Sequence, residues 1–170
     1  MSKEIPLTQG KVAIVDDADY EWLSQWKWTY LRPSYPGSAG YAYRNVTVSP
    51  KKTKCVLMHR LILDAPKGKL VDHINHNGLD NRRENLRLAT ECENHYNARP
   101  RTDGVSKYKG VYYDSRCNRW AAEIRSNNKK KFLGYFDTEY SAAVAYNRAA
   151  IVQHGKFAFV NNIPSCADDQ

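Results

Sequence analysis

The stretch Leu70–Asn97, LVDHINHNGLDNRRENLRLATECENHYN, decides how the rest of the chain is organised. It begins with a short apolar run that ends in Asp72-His73. The turn residues His76–Gly78 follow, where Asn-Gly favours the positive φ that a tight turn needs. The apolar residues of Leu86–Ala89 then predict a second short strand. The order strand, loop, strand is therefore expected before any helix begins.

A helix is predicted directly after the second strand. Thr90 is a suitable N-cap, and Glu93 three residues later completes a capping box. Asn94 then lies one turn past the cap, while Asp72 and His73 leave the first strand. A carboxylate, an imidazole and an amide oxygen can therefore converge on one point.

The residue types and spacings in this stretch resemble those of the HNH nucleases. The three letters of that family fall on His73, Asn85 and Asn94, at separations of 12 (85 − 73) and 21 (94 − 73) residues. An Asn in the last position is typical of phage and intron-encoded homing endonucleases, and Asp72 before the His also matches. The resemblance implies a ββα-metal finger in which Asn85 bridges the loop and fixes the orientation of His73.

The same side chains fit the chemistry of phosphodiester hydrolysis. That reaction needs a base to activate water and a cation to neutralise charge on the phosphate and on the leaving oxygen. His73 is the natural base because an imidazole titrates near neutral pH. Asp72 and Asn94 offer hard oxygen ligands for Mg²⁺, which keeps much of its hydration shell, and Mn²⁺ would substitute. Taken singly, each residue has a structural alternative, as part of a plain turn or as a helix cap.

The charge of the chain points to an acidic partner. Its 170 residues carry a formal net charge of +8, from 26 Lys and Arg against 18 Asp and Glu. Nucleic acid is the commonest partner of such a protein. Residues 99–131 hold ten basic and three acidic residues, whereas residues 71–98 hold three basic and five acidic, as a cation site requires. A basic surface that only helps solubility is the alternative.

The four cysteines, at positions 55, 92, 117 and 166, lie far apart without a C-x-x-C pair. This spacing predicts reduced thiols and argues against a zinc knuckle or a disulfide framework. The N-terminus lacks the apolar core of a signal peptide, and no run approaches the ~20 apolar residues of a membrane span. We therefore expect a soluble cytoplasmic protein with no membrane partner, in the host cytoplasm if the gene belongs to a phage.

Residues 1–69 are expected to form a small β-rich region. Strands are predicted where apolar residues run together or alternate with polar ones, at 11–15, 26–30, 40–44 and 55–58, with a loop at 33–40. Short helices are predicted at 20–25, behind the N-capping residues Asp16–Asp19, and at 58–63. By their spacing, Trp22, Trp26 and Trp28 favour core positions, with stacking on nucleic-acid bases as the alternative.

Three arginines near the finger are candidates for contacts with the DNA backbone: Arg60, Arg82 and Arg83. Arg60 follows His59 in a His-Arg pair that also precedes this type of finger. Arg82 and Arg83 lie in the finger's loop, where a solvent-facing role is the alternative. For His59, a hydrogen-bonded structural role and a catalytic role both stay open.

From residue 108 onward the pattern changes to that of a sheet and a long helix. Strands are predicted at 108–113, 119–125 and 130–136, with Asn127-Asn128 as a hairpin turn. Asp137-Thr138 caps a helix that Gly155 ends. The positions expected to be buried recur at intervals of three to four residues: Ala142, Ala145, Tyr146, Ala149 and Val152.

Residues 108–164 resemble the DNA-binding domain of plant ethylene-response factors (Apetala type). The resemblance rests on the elements YKGVYY, RWAAEIR and FLGYFDTEYSAAVAYNRAA and on the closing residues 157–164. That family lays a three-stranded sheet into the major groove of double-stranded DNA. Tyr112 stands where plant members carry Arg, so the base preference does not carry over. The residues on or next to the reading face are Lys109, Tyr112, Arg119, Glu123, Arg125, Lys130 and Lys131.

The sequence as a whole predicts an α+β protein. A ββα-metal (HNH) finger at 70–98 is preceded by the β-rich N-terminal region, 1–69, and followed by a basic linker, 99–107. A three-stranded antiparallel sheet packed on one helix, 108–164, and a tail, 165–170, complete the chain. The expected function is a site-directed DNA endonuclease of the homing type, as a monomer or a homodimer. The alternatives are a sequence-specific DNA-binding regulator with an inactive finger, a nuclease acting on RNA or damaged DNA, and a structural zinc protein.

Overall fold

The structure, a computed structural model, describes residues 1–33, 40–100 and 104–164. Within these ranges the strands form several small antiparallel sheets with helices beside them, which confirms the predicted α+β class. The chain divides into two units, residues 1–91 and 92–170. The predicted tail lies outside the described residues, as do positions 34–39 of the predicted loop and 101–103 of the linker.

The first unit contains three antiparallel sheets and two α-helices within its described residues. In chain order its elements are β1 (Ser2–Pro6), β2 (Val12–Asp16), α1 (Asp17–Ser24), β3 (Thr29–Leu31), β4 (Tyr41–Ser49), β5 (Lys52–Leu57), α2 (Met58–Ile62), β6 (Leu70–His73) and β7 (Leu86–Ala89). β1 pairs with β2, β4 lies between β3 and β5, and β6 pairs with β7. Neighbouring strands are thus consecutive in the chain, as is usual for such sheets.

Apolar side chains from several of these elements meet in one core. Leu23 of α1, Met58 of α2 and Val15 of β2 are fully buried in it, together with Ala42 of β4. Full burial of a large aliphatic side chain is worth about 1.5–3 kcal/mol. Leu86 of β7 belongs to the same cluster, so the β6–β7 pair is anchored to this core.

Most of the elements predicted for this unit are observed with shifted ends. β2, β4, β5, α1 and α2 occupy the predicted positions, and β6 and β7 confirm the order strand, loop, strand. β1 is not among the predicted strands. Only Ile5 is buried among its residues, SKEIP, and apolar residues do not alternate with polar ones there, so no sequence pattern marks the strand.

The predicted strand over 26–30 is wrong in its first half. The strand begins at Thr29 because the chain leaves α1 in a turn, in which the amide of Trp26 donates to the carbonyl of Leu23. Trp28 is buried, and its indole Nε1 donates to the same carbonyl at 2.9 Å. Trp26 packs edge-on against it, with ring centroids 6.3 Å apart. The predicted core position is confirmed for Trp28, with Trp26 at the edge of the core.

The second unit contains a short helix, a three-stranded sheet and a long helix. Its elements are α3 (Glu91–Asn97), whose first residue lies at the unit boundary, β8 (Val111–Asp114), β9 (Arg119–Ser126), β10 (Lys129–Phe136) and α4 (Glu139–His154). β9 is the central strand and runs antiparallel to both neighbours. α4 packs on one face of this sheet, so the predicted sheet on one helix is observed.

The turn and cap residues of this unit act as the sequence predicts. Asn127 and Asn128 join β9 to β10 with φ of 48° and 62°, as a two-residue type I′ hairpin requires. The Thr138 hydroxyl accepts a hydrogen bond from the amide of Ser141 at 3.0 Å and so caps α4. Gly155 ends the helix with a φ of 52°.

The predicted buried face of α4 is wrong at its C-terminal end. Val152 is 85% exposed. At 100° per residue it lies on the opposite side of the helix from the stripe that faces the sheet. The buried positions are Ala142, Ala143, Tyr146, Ala150 and His154.

The first strand of this sheet begins at Val111, three residues later than predicted, because the backbone turns at Gly110. Gly110 has a φ of 75°, which side chains other than glycine rarely adopt. A Cβ at this position would lie 2.1 Å from the ring of Tyr146. Glycine is therefore required both by the backbone conformation and by the close approach to α4.

The cysteines do not crosslink the described part of the chain. The thiols of Cys55, Cys92 and Cys117 are free, as their spacing predicts, and Cys166 lies outside the described residues. Over the same ranges, no helix combines the length and the apolar character that a membrane span requires.

Candidate active site

Asp72 and His73 are the last two residues of β6, and the pairing of this strand with β7 places them. Asp72 lies opposite Arg87 in the register, and His73 lies opposite Leu86. Asp72 and His73 are each only 6% exposed. Their side chains therefore start from a paired and buried strand end, which suits a site that needs fixed geometry.

The carboxylate of Asp72 forms an ion pair with its cross-strand partner. Arg87 places Nε 2.7 Å and Nη2 2.6 Å from Oδ2 of Asp72. Both side chains are largely buried, where a charge-assisted pair is strong and directional. The pair fixes the direction of the Asp72 carboxylate.

Asn85 closes the loop between β6 and β7. Its Nδ2 donates to the carbonyl of Asp80 at 2.8 Å, and its Oδ1 accepts from the amide of Asn75 at 3.0 Å. Its own carbonyl accepts from the amide of Ile74 at 2.9 Å. These contacts bridge the loop next to His73, while a role of Asn85 in catalysis stays a prediction.

The tight turn in this loop differs from the predicted one. The positive φ lies at His76, at 62°, and not at Asn77-Gly78. Glycine is required at position 78 for another reason. A Cβ there would lie 2.3 Å from the carbonyl oxygen of Gly40 and 2.7 Å from the ring of Tyr41. The backbone of the loop thus packs directly against the start of β4.

Backbone hydrogen bonds tie the same loop to β2. The amide of Asn81 donates to the carbonyl of Ile14 at 2.7 Å, and the amide of Ile14 donates to the carbonyl of Leu79 at 2.8 Å. Asp80 forms an isolated parallel bridge with Ile14. The loop is therefore held by strand-like contacts and not only by its own turns.

The carboxylate of Asp80 is a second organising group in the loop. Asp80 is buried and accepts from the Arg82 guanidinium, from Nε at 2.8 Å and from Nη2 at 2.7 Å. Asn75 donates to it from Nδ2 at 2.8 Å. The hydrogen bonds from Arg82 hold the pKa of this carboxyl below its usual range, against the opposing effect of burial. Asp80 is therefore ionised at neutral pH.

The imidazole of His73 is held on several sides. Its Nε2 lies 3.4 Å from Oδ1 of Asn81. The ring of His59 meets it edge-on at a centroid distance of 5.0 Å, and the ring of Tyr41 lies 5.7 Å away. Burial lowers the pKa of His73, although the contact with Asn81 and the nearby carboxylates act in the opposite direction. A neutral imidazole is favoured at neutral pH, as a general base requires.

His59 is buried on α2, between Tyr41 and His73. The Tyr41 ring contacts it edge-on at 5.1 Å. Burial lowers the pKa of His59 to about 3, with smaller effects from His73 and Arg60. Its Nδ1 is buried and has no hydrogen-bond partner among the described residues. A neutral ring packed on the His73 imidazole suits a structural role, without the predicted hydrogen bond at Nδ1, and the choice between the two roles stays a prediction.

The three arginines predicted to contact DNA all make contacts inside the first unit. Arg60 donates to three backbone carbonyls in the connection between α2 and β6, at 2.7–3.1 Å. Arg82 pairs with Asp80, as above. Arg83 places Nε and Nη2 each 2.8 Å from the carboxylate of the buried Asp19. These contacts stabilise the fold, and a role of the three side chains on DNA stays a prediction.

Asn94, the predicted second metal ligand, lies on α3 and belongs to the second unit. The end of this helix is capped by Lys109. Its Nζ lies 3.0 Å from the carbonyl oxygen of His95, 2.7 Å from that of Tyr96 and 2.6 Å from that of Ala98. A cation is favourable at a helix C-terminus. Burial lowers the pKa of Lys109 to about 8, so the ammonium is still mostly charged at pH 7.

Aromatic stacking joins α3 to the rest of the second unit. The ring of Tyr96 stacks on that of His154 at a centroid distance of 3.8 Å and an angle of 4°. The Tyr96 hydroxyl accepts from the amide of Asn127 at 2.8 Å. A ring nitrogen of His154 lies 2.9 Å from the carbonyl oxygen of Arg125. The helix that carries Asn94 is thus packed as a part of the second unit.

The sheet face turned away from α4 carries most of the residues predicted to bind DNA. Val111 and Ala122 are paired and buried under α4, so their strand neighbours point to the other face. Arg119 on that face is ion-paired with Asp137 at 2.7 Å, and Lys130 is paired with Glu123 at the same distance. The predicted residues on this outer face are Tyr112, Arg119, Glu123, Arg125 and Lys130.

Two of the predicted DNA-binding residues lie elsewhere. Lys109 uses its ammonium to cap α3. Lys131 is paired in register with Ile124, which is buried under α4. Because directly opposed residues point the same way, Lys131 lies on the helix side of the sheet, exposed at its end.

The structure brings several residues that the sequence did not indicate to the surroundings of His73 and to the outer sheet face. Asn81 and Tyr41 contact His73, yet an Asn inside a polar loop and a Tyr in a distant strand carry no signal of that contact. On the outer sheet face, Phe132 is 50% exposed, and its ring lies 5.0 Å from that of Tyr135. Strand alternation places Phe132 on the same face as Lys130, so the sequence could have indicated it. Alternation alone would place Tyr135 on the other face, but a β-bulge between 132 and 134 moves it to the face of Phe132.

Comparison with known proteins shows one likeness that extends along most of the chain. The HNH endonuclease family profile matches residues 56–96. An uncharacterised HNH endonuclease of Acanthamoeba polyphaga mimivirus is 33% identical over 160 residues, which cover 91% of this chain and 77% of that protein. Protein 3.8 of Escherichia phage T7 is 31% identical over 93 residues, which cover 55% of this chain and 76% of that protein.

A second likeness is shorter. The APETALA2-like protein 2 of Oryza sativa subsp. indica is 43% identical over 65 residues, which cover 38% of this chain but only 15% of that protein. Such a match bears on part of this chain and not on the whole. The viral likeness covers 91% of this chain and 77% of the relative, and it agrees with the profile match over the segment that holds Asp72 and His73. The chain therefore belongs to the HNH endonuclease family.

Proposed function

We propose that the chain is a metal-dependent DNA endonuclease of the homing type, with a ββα-metal finger that cuts and a C-terminal domain that targets. The observation that carries the proposal is the buried Asp72-His73 pair at the end of β6, inside the segment that matches the HNH family. The imidazole of His73 is neutral, oriented by its neighbours and adjacent to a carboxylate. These are the properties that a general base beside a metal ligand needs.

In the proposed reaction, water attacks the scissile phosphorus and His73 accepts a proton from it as the new bond forms. The bond between phosphorus and the 3′ oxygen breaks, and that oxygen takes a proton from solvent. By the family resemblance the products carry 5′-phosphate and 3′-hydroxyl ends. Asn85 contributes by holding the loop beside His73 closed.

Asp72 and Asn94 are the residues proposed to hold Mg²⁺, for which Mn²⁺ would substitute. The donor set fits, because a carboxylate and an amide supply the hard oxygen atoms that Mg²⁺ prefers. When bound, such an ion neutralises charge on the phosphate and on the leaving oxygen. The alternative is a structural zinc site, and metal analysis of the purified chain distinguishes it from a Mg²⁺ site.

The targeting role is proposed for the outer face of the β8–β10 sheet. A three-stranded sheet fits the major groove of double-stranded DNA, where base edges can be read. Arg125 is exposed on this face, and Tyr112 and Phe132 offer apolar surface that suits thymine methyl groups. Because Arg119 and Lys130 are ion-paired, we expect Arg125 to make the largest single contribution to sequence preference.

Cleavage of a supercoiled plasmid that carries candidate phage DNA tests the nuclease activity. We expect the wild type to form open circles with Mg²⁺ and to leave the plasmid intact with EDTA. Linear product would indicate two coordinated cuts and so favour a homodimer. His73→Ala should lower the rate by ~10²–10⁴-fold, which is what general-base catalysis contributes, and should still bind DNA. Cleavage at the wild-type rate by this variant would refute the assignment.

His76→Asn is the matched control for that experiment. It removes a histidine from the same loop, and asparagine tolerates the φ of 62° found there. We expect this variant to cleave at the wild-type rate. Salt-sensitive DNA binding by the wild type without cleavage under any divalent metal would favour the DNA-binding regulator. Parallel assays on RNA and on damaged DNA test the substrate class.

A further inference from the structure

A completely buried asparagine lies beside the proposed general base. Asn81 is 0% exposed, and its backbone amide is bonded to the carbonyl of Ile14. Burying a side-chain amide costs free energy unless its polar atoms are hydrogen-bonded. Two partners are present, the carbonyl of Leu79 and the imidazole of His73. The side chain is thus fixed at both of its polar ends.

The partner at Leu79 decides the orientation of the amide. A carbonyl oxygen can only accept, so the atom that faces it, at 3.2 Å, is the amino group Nδ2 of Asn81. The oxygen Oδ1 then faces Nε2 of His73, at 3.4 Å. Because an amide oxygen can also only accept, Nε2 must carry the proton in this contact. In the neutral ring, Nδ1 is then the nitrogen that carries the lone pair.

We propose that Asn81 is a positioning residue that holds His73 in the tautomer with the proton on Nε2 and the lone pair on Nδ1. The inference rests on the proposed function, in which His73 accepts a proton from water. In the other tautomer the lone pair would face the oxygen of Asn81, where it is repelled and cannot receive a proton from water. Asn81 acts through His73 and does not itself contact the substrate.

The surroundings explain why this role falls to Asn81. His59 and Tyr41 restrict the His73 ring by packing, with centroid distances of 5.0 and 5.7 Å, but ring packing does not distinguish the two tautomers. A hydrogen-bond acceptor does. The backbone of Asn81 is bonded to Ile14 and its amino group to the carbonyl of Leu79, so the acceptor cannot move away from Nε2 without breaking one of these two hydrogen bonds.

The tautomer can be measured by NMR in the metal-free full chain. ¹⁵N chemical shifts of labelled histidine rings separate protonated from lone-pair nitrogens, and a His73→Gln variant assigns the His73 signals. The wild type is expected to carry its proton on Nε2. Asn81→Leu, which keeps the volume and removes the acceptor, should populate the other tautomer. It should also lower kcat for plasmid cleavage on the order of 10–100-fold, as loss of an orienting partner does elsewhere, with KM nearly unchanged.

Asn77→Ala is the matched control. It removes another side-chain contact of the same loop, in which Oδ1 accepts from the amide of Leu79 at 3.1 Å, and should change neither the tautomer nor kcat. A wild-type ring with its proton on Nδ1 would overturn the proposal, and so would an Asn81→Leu variant with wild-type tautomer and kcat.

Two further outcomes can be told apart from these: an Asn81→Leu variant that does not fold, and a chain that does not cleave nucleic acid. Should Asn81→Leu fail to fold, Asn81→Asp decides, because a carboxylate keeps an acceptor at Nε2. Retention of the Nε2 proton then supports the proposal, and its loss overturns it. The NMR measurement needs neither metal nor DNA. A chain that shows the Asn81-dependent tautomer but never cleaves nucleic acid would therefore refute the nuclease activity while leaving the effect of Asn81 on His73 established.

Discussion

Arg83→Met tests whether an ion pair with a buried carboxylate holds the β6–β7 loop to the rest of the first unit. The carboxylate of Asp19 on α1 is buried and accepts from Nε and Nη2 of Arg83, at 2.8 Å each, and from Nε1 of Trp22 at 3.1 Å. The backbone amide of Arg83 donates to Asp16 at 2.7 Å, and this contact survives the substitution. The variant therefore removes two of three side-chain donors from a buried carboxylate.

The expected loss follows from the burial of the two partners. Removal of one partner of a fully buried pair costs about 3–5 kcal/mol. The side chain of Arg83 is 52% exposed, however, so water can reach the carboxylate of Asp19 once the guanidinium is gone. Methionine keeps the length of the aliphatic stem and limits the loss of packing. We expect the free energy of unfolding to fall by about 2 kcal/mol.

Urea unfolding of the full chain, followed by tryptophan fluorescence, measures this loss. Lys3→Met is the control, because the Lys3–Asp17 pair, at 2.7 Å, lies on the surface and should change stability far less. The double variant Asp19→Asn/Arg83→Met should show a coupling of about 1–2 kcal/mol between the two substitutions. A loss below about 0.5 kcal/mol for Arg83→Met, the size of an ordinary surface substitution, would refute the reasoning.

Two further predictions concern Lys109 and His59. Lys109→Met should lower the free energy of unfolding by about 1–2 kcal/mol, because three carbonyls at the end of α3 lose a charged donor, although those of His95 and Tyr96 keep a backbone amide donor. Lys129→Met, on the exposed end of β10, is its control, and equal losses in the two variants would contradict the capping role. For His59 the folded pKa is about 3 and the ordinary value is 6.5. The unfolded chain therefore takes up the proton first, and the stability that the neutral ring provides above pH 6.5 is lost as the pH falls. Between pH 6.5 and pH 5 the free energy of unfolding of the wild type should fall by about 2 kcal/mol more than that of His59→Gln. Urea unfolding at each pH measures this difference, and an equal fall in both proteins would contradict the prediction.

Local chemistry made several features predictable. The Asn127-Asn128 hairpin, the Thr138 cap and the Gly155 stop each depend on residues within a few positions of one another, and all are observed. The strand that ends in Asp72-His73 could be predicted for the same reason, since its apolar run and the turn residues after it lie in one short window. Such features survive in the fold because the tertiary contacts agree with the local preference.

Other features depend on residues far apart in the chain. Gly78 is needed where the loop meets Tyr41, 37 positions earlier (78 − 41), and the positive φ of the loop lies at His76. The buried face of α4 was misplaced because small residues occur around much of that helix, and the sheet selects among them. Asn81 has the sequence character of a turn residue, and its burial follows from pairing with Ile14, 67 positions earlier (81 − 14). No window of sequence contains that information.

The basic surplus of the chain predicts two different effects on DNA, long-range attraction and direct contact, and different side chains are expected to produce them. Long-range attraction depends on the net charge of the chain. Arg60 and Lys109 still contribute their positive charges to it, because the carbonyl groups that they contact are neutral. Arg119 and Lys130 are paired with carboxylates, which cancel much of their field. Contacts with phosphates and bases need donors that are not already engaged, so the candidates narrow to exposed residues such as Arg125. The charge of +8 therefore predicts attraction to DNA without identifying the side chain that reads it. Loss of Lys109 should weaken binding equally on every sequence, whereas loss of Arg125 should also change which sequence is preferred.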